Sequence, residues 1–213
     1  MLITDPANIK QDLTYEGITV VSVSITYPQV TGGNRTAVKR INNFYSHAAK
    51  RLFRKACKNL LPAAIEEYKQ SLTGEFPFRP YEFVADFETT LSNECYLSLY
   101  RDNYVYTGGA HGTTERVSET WYSNSGWLVA LCSFFNRNVN YRQLLIDNAI
   151  KIAKRQTEDG THQYFDDFPK LIKRYFSASR YYLVENGIAV YYGQYAIAPY
   201  VEGIPVFVYE VEV

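Results

Sequence analysis

The chain has 213 residues, enough for one large domain or two small ones and for a core that needs no staples. Apolar residues make up 46%, which excludes a disordered chain, and 22 Lys+Arg against 22 Asp+Glu give no global pull toward nucleic acid or an anionic membrane. Three cysteines without a CxxC argue against a disulfide scaffold or zinc ribbon and for buried, reduced thiols.

The N-terminal MLITDPANIKQDL lacks the apolar core of a signal peptide, and residues 1–13 read as a tail. No run approaches the roughly 18 apolar residues of a membrane span. As written the chain reads as cytoplasmic, or as extracytoplasmic if a leader or anchor has been removed. GITVVSVSITY (17–27) is β-branched and partly alternating, a strand. A loop follows, in which Asn34 or Thr36 is placed to cap a helix.

Residues 35–72 carry the longest helical pattern. Val38, Ile41, Tyr45, Ala48, Leu52, Ala56 and Leu60 recur every three or four positions, and Pro62 predicts a kink or break. Unbroken, the helix would span about 55 Å at ~1.5 Å per residue. Its other side carries Lys39, Arg40, Lys50, Arg51, Arg54, Lys55 and Lys58. That is a solvated face, or else a surface for an acidic partner.

Two aromatic, alternating runs, 78–92 and 93–106, predict antiparallel strands joined near Ser92 and Asn93. The second runs into TGGAHG (107–112), and TTERVSETWYS alternates again, so that stretch joins two strands. SNSG (123–126) is a turn, and WLVALCSFF a short buried strand or turn. Helices are predicted over 140–156 and 163–176. The end, RYYLVENGIAVYY, QYAIAPYVEGI and PVFVYEVEV, reads as β, with Asn186-Gly187 a hairpin turn. The tyrosine count, 20, fits a β-rich chain and also supplies contact surface. The order predicts an α+β fold, with antiparallel sheet packed against a long N-terminal helix and two shorter ones. One domain over 14–213 is expected, with room for a subdivision near 110–125.

TGGAHG invites several chemistries. A phosphate loop needs a lysine and a following helix, and a Rossmann turn also needs the helix; neither is here. His47, His111 and His162 have no metal-ligand spacing. Cys95 and Cys132 lack the setting that activates a thiol, and GxSxG is absent. No catalytic constellation, metal site or cofactor motif is complete. The structural reading is that Gly108 and Gly109 permit positive φ or close approach, Ala110 tight packing, and His111 orients the loop or faces a partner.

YTGGAHG (106–112), the closing YYGQYAIAPYVEGIPVFVYEV (191–211) and VSVSITYPQV followed by INNFY together carry a resemblance. The chain resembles the extracytoplasmic domain of RsiV-type anti-sigma factors and the N-terminal, non-catalytic domain of PdaC-type peptidoglycan deacetylases. Tyr122 and Ser133 stand where that family usually has acids. The resemblance implies an α+β, non-enzymatic ligand-binding or sensing module, with lysozyme, another protein or a peptidoglycan fragment as partner and no cofactor. The candidate ligand-binding residues are Tyr106, Gly108, Gly109 and His111, with Tyr195, Pro199 and Tyr200. Two alternatives stay open: a hydrolase of glycan or peptide using His111 with a carboxylate, and a cytosolic binder of an acidic partner through the 39–58 face. Nucleic acid is disfavoured by the charge balance.

Overall fold

The computed structural model describes residues 1–74 and 76–211; residues 212 and 213, the end of the last predicted strand, lie outside it. Strands β1 (Ile3–Tyr15) and β2 (Ile18–Thr31) form an antiparallel hairpin. Glu16 and Gly17 turn it at φ 50° and 82°, the left-handed pair that a tight two-residue turn requires. The segment expected to be a tail is therefore the outermost strand of a sheet. Its sequence disguised it, because Pro6 interrupts the run and most of its side chains face solvent. Both features are tolerated on an edge strand, where one side of the backbone needs no ladder partner.

Helix α1 (Arg35–Ser71) follows as one continuous helix with Pro62 inside it, so of the expected kink or break there is no break. Asn34 caps it, its Oδ1 accepting from the N–H groups of Thr36 at 2.8 Å and Ala37 at 3.3 Å. Ile41, Tyr45, Ala48 and Ala56 of the predicted stripe are buried, and Leu52 and Leu60 are half-buried. The helix returns the chain to β3 (Tyr81–Ser92), which pairs with β2 in parallel, Val21 opposite Tyr81 through Ile25 opposite Ala85. A parallel neighbour demands such a crossover, so the sheet is mixed and not purely antiparallel.

Strands β4 (Tyr96–Tyr106) and β5 (Thr113–Tyr122) complete a five-stranded sheet in the order β1-β2-β3-β4-β5. The chain divides into two compact units: residues 1–87 with 101–115, and residues 88–100 with 116–213. Strands β3, β4 and β5 contribute to both. In the first unit Val21, Val23, Ile25, Phe83 and Ala85 of the sheet pack with Ala49, Ala56 and Ala64 of α1. Small residues on the helix let its backbone approach the β-branched face closely.

In the second unit a turn at Ser123–Gly126 leads to a 3-10 turn at Leu131–Phe134, then α2 (Tyr141–Glu158) and α3 (Phe168–Tyr175). Strands β6 (Tyr181–Val184), β7 (Gly187–Tyr191) and β8 (Val206–Glu210) form an antiparallel sheet in that order. Leu145, Ala149, Ala153 and Ile172 of the helices share a core with Leu183, Ile188, Val190 and Phe207 of the strands. The β6–β7 turn falls at Glu185 and Asn186, and Gly187 already belongs to β7, facing Val184. A side chain at Gly187 would strike the Tyr209 carbonyl, so close strand approach explains that glycine. QYAIAPYVEGI, predicted as β, is loop with a 3-10 turn at Tyr200–Glu202. Cys95 and Cys132 are exposed and Cys57 half-buried, against the expectation of buried thiols. Among the described residues no helix is long and apolar enough to cross a membrane.

Candidate functional site

The predicted site residues fall on both units: Tyr106, Gly108, Gly109 and His111 on the first, and Tyr195, Pro199 and Tyr200 on the second. In the first unit, TGGAHG connects β4 to β5 as the sequence indicates. Gly109, Ala110 and His111 are exposed, while Gly108 and Tyr106 are half-buried. His111 Nδ1 lies 3.2 Å from the carbonyl of Gly112. A carbonyl only accepts, so this contact puts the ring proton on Nδ1.

Around the base of the loop, Gly108 and Tyr106 meet Glu67 and Arg79, which the sequence did not single out. Gly108 has φ 81°, and a Cβ there would lie 2.7 Å from Glu67 Oε1 on α1. The other oxygen, Glu67 Oε2, accepts the hydroxyl of Tyr81 at the start of β3. Burial, and then the bond to Glu67, push the Tyr81 phenol up to about 12. Tyr106 Oη accepts from Arg79 Nη1 at 3.4 Å. Glu67 thus ties α1 to β3 and stands beside the loop at Gly108. Tyr81 and Gly108 lie 14 and 41 positions from it, so no local pattern reveals this arrangement. Above this base the tip is presented to solvent by a backbone whose turn is set by Gly108.

The second unit holds the other three residues. Tyr195 is 63% exposed with φ 65°, and its ring meets Phe165 edge-on at 5.6 Å. A tyrosine in left-handed backbone is uncommon and stores strain of about 1–3 kcal/mol. The buried Ile197 and Ala198 anchor the segment just after it. Pro199 and Tyr200 are half-buried and lead into the 3-10 turn. That turn is held by a pair that sequence reasoning did not find. His162 Nδ1 lies 2.7 Å from Glu202 Oε2, and the Gln163 N–H donates to Glu202 Oε1 at 2.9 Å. The imidazole bond first, then the backbone N–H, hold the Glu202 carboxyl below its ordinary value. A histidine and a carboxylate are therefore in contact in this chain at His162 and Glu202.

On α1 the basic residues 39–58 are exposed apart from Arg40, which is half-buried. Arg54 turns its Nε to the Lys50 carbonyl at 3.3 Å. Among the described residues no group of three His, Cys, Asp or Glu side chains is gathered as a metal ion would need.

Comparison with known proteins falls in line with this geometry. Residues 16–114 match the family described as Deacetylase PdaC, and residues 133–209 match the protein family of unknown function DUF3298. A crystal structure of a DUF3298 member from Bacteroides fragilis superposes with a TM-score of 0.66 at 17% identity, covering 98% of this chain and 90% of that one. One from Pseudomonas aeruginosa gives 0.61 at 16% identity, over 99% and 90%. At such identities the likeness establishes the fold alone. No curated protein matches the chain significantly. The chain is thus similar to the PdaC family over residues 16–114 and to the DUF3298 family over residues 133–209, and it has the α+β fold of the DUF3298 structures.

Proposed function

We propose that the chain is a non-enzymatic ligand-binding or sensing module whose partner is a protein or a cell-wall glycan, in the manner of the RsiV-type lysozyme-binding domains it resembles. The observation that carries this reading is the 107–112 loop. Gly109, Ala110 and His111 are exposed, while Gly108 turns the backbone at φ 81° beside Glu67. A loop ordered before contact gives up little conformational freedom on binding. The exposed, strained Tyr195 offers a second contact of the amphipathic kind that binding surfaces favour.

Capture on immobilised lysozyme and capture of soluble peptidoglycan fragments test the reading, with wild type set against His111→Ala, Tyr195→Ala and Tyr200→Ala. The expected result is capture by the wild type on one of the two, reduced about ten-fold or more by a hot-spot substitution. Equal capture by every variant, or none by the wild type, defeats it. Capture that disappears between low and moderate salt would instead assign binding to the basic face of α1.

A further inference from the structure

We propose that the first unit contains a small-molecule site in the cavity bounded by α1 and strands β3, β4 and β5, fitted to a compact, neutral, apolar ligand that carries one N–H or O–H donor. The proposal extends the binding-module reading to a site of its own. The cavity measures about 240 Å³. Leu52, Ala56 and Leu60 line it from α1, spaced by four and so on one side of the helix. Phe83 and Val105 continue the apolar wall from the sheet.

Of the polar residues that also line it, Lys55, Asn59, Thr113 and Glu115 are exposed and Thr114 is half-buried, so Asn103 is the buried polar group of the lining. Asn103 lines the cavity, is only 8% exposed, and its Oδ1 is buried with no hydrogen-bond partner among the described residues. Its Nδ2 donates to the Glu115 carbonyl over a long 3.4 Å. That bond fixes the amide's orientation, since a flipped amide would set oxygen against oxygen. A buried acceptor left unmade is costly, and native proteins rarely keep one without use. The strand pattern sharpens the point. Leu97, Leu99, Arg101, Asn103 and Val105 alternate onto one face of β4, so packing alone would favour an aliphatic residue at 103. A pocket with an apolar wall and a few convergent polar groups is the usual form of a small-ligand site. Lys55 and Glu115, both exposed, line the same cavity with opposite charges. Their opposite charges leave the lining without a net charge, which favours a neutral amide or alcohol over a lone carboxylate or ammonium.

The test is a titration of the full chain, followed by NMR at the Asn103 side-chain amide and the methyls of Leu52 and Leu60. The probes are N-methylhexanamide, which has an N–H, and N,N-dimethylhexanamide, which has none. Wild type should bind the first about five-fold or more tightly, the worth of one such hydrogen bond. Asn103→Ala should bind both alike. Equal affinity in the wild type, no shift at these three residues, or preference undiminished in Asn103→Ala each overturns the proposal. The two wild-type titrations decide even if that variant fails to fold. Failure here leaves lysozyme and glycan capture untouched, and loss of capture in His111→Ala leaves the amide preference untouched, so the two readings fail separately.

Discussion

Three glycines share the 107–112 loop, and each meets different surroundings. Gly108 combines φ 81° with the Glu67 carboxylate beside the position of a Cβ. A left-handed alanine costs about 1–2 kcal/mol, and displacing Glu67 would also loosen its bond to Tyr81. Gly112 is buried, and a Cβ there would run into the Tyr104 ring and the Val105 carbonyl. Gly109 has open space and no positive φ. Gly108→Ala and Gly112→Ala should therefore lower the unfolding free energy by about 1 kcal/mol or more, and Gly109→Ala by less than about 0.5. Denaturant midpoints for the three variants check the order, and an equal loss at Gly109 would contradict it. The sequence marked the stretch as a sharp inter-strand connection but could not rank its glycines, since rank depends on what stands opposite in space. Ala110, expected to allow tight packing, is exposed. A second residue-level case is Tyr192, fully buried with no partner for its hydroxyl among the described residues, its ring edge-on to Phe207. Tyr192→Phe removes an unmade hydrogen bond while keeping the ring, so its melting temperature should equal or exceed that of wild type. A clear drop would show that the hydroxyl has a partner.

At the level of elements, patterns with a strong period were legible and those set by an edge or a distant partner were not. The 3.6-residue stripe of α1 placed the helix within one residue of its ends, because a continuous apolar face is a local property. Strand β1 was lost because an outermost strand buries little and tolerates proline. The parallel pairing of β2 with β3 has no local signal at all. The closing QYAIAPYVEGI looked β-like through its aromatic and branched residues, yet Pro199 and the left-handed Tyr195 and Gly203 prevent a ladder. Joining elements within the second unit depends on a polar contact of similar invisibility. Ser98 on β4 is buried; its Oγ accepts the Leu183 N–H of β6 at 2.8 Å and pairs with Thr120 Oγ1 of β5 at 2.8 Å. Ser118 Oγ donates to the neighbouring Tyr181 carbonyl, 2.5 Å away. Ser98→Ala would strand a buried backbone N–H, so a loss of about 1–3 kcal/mol is expected. Hydrogen exchange at Leu183 should accelerate before that of Ala189, at the centre of the β6–β8 sheet. Unchanged exchange at Leu183 would remove Ser98 from this role.

Across the molecule, both units carry groups that titrate in alkali, and the second also carries one that titrates in acid. In the first, Tyr81 is pushed from 10.0 up to about 12, chiefly by burial and then by its bond to Glu67. A raised phenol favours the neutral form in the fold. Its contribution is therefore complete below about pH 10 and fades as pH rises toward 12. In the second, Tyr164 is likewise raised to about 12, by burial and then by the charge of Glu202, so alkali weakens both units. Acid is more selective. The Glu202 carboxyl is held below its ordinary 4.5 by His162 and the Gln163 N–H. Its contribution is present above about pH 4.5 and disappears as pH falls through the lowered folded value. The acid loss should thus register in the second unit, first at Phe165 and Gly203, whose N–H groups donate to the carbonyls of Ile197 and Tyr200 around the 3-10 turn. Amide exchange followed from pH 6 down to 3 is the measurement. Wild type should lose protection at Phe165 and Gly203 while Phe83 and Ala85 of the first unit keep theirs. Glu202→Gln cannot ionise, so its protection at Gly203 should already be lower at pH 6 and change little on acidification. If the variant lost protection over the same acid range as wild type, another group would be responsible and the His162–Glu202 clip would have no part in holding the turn.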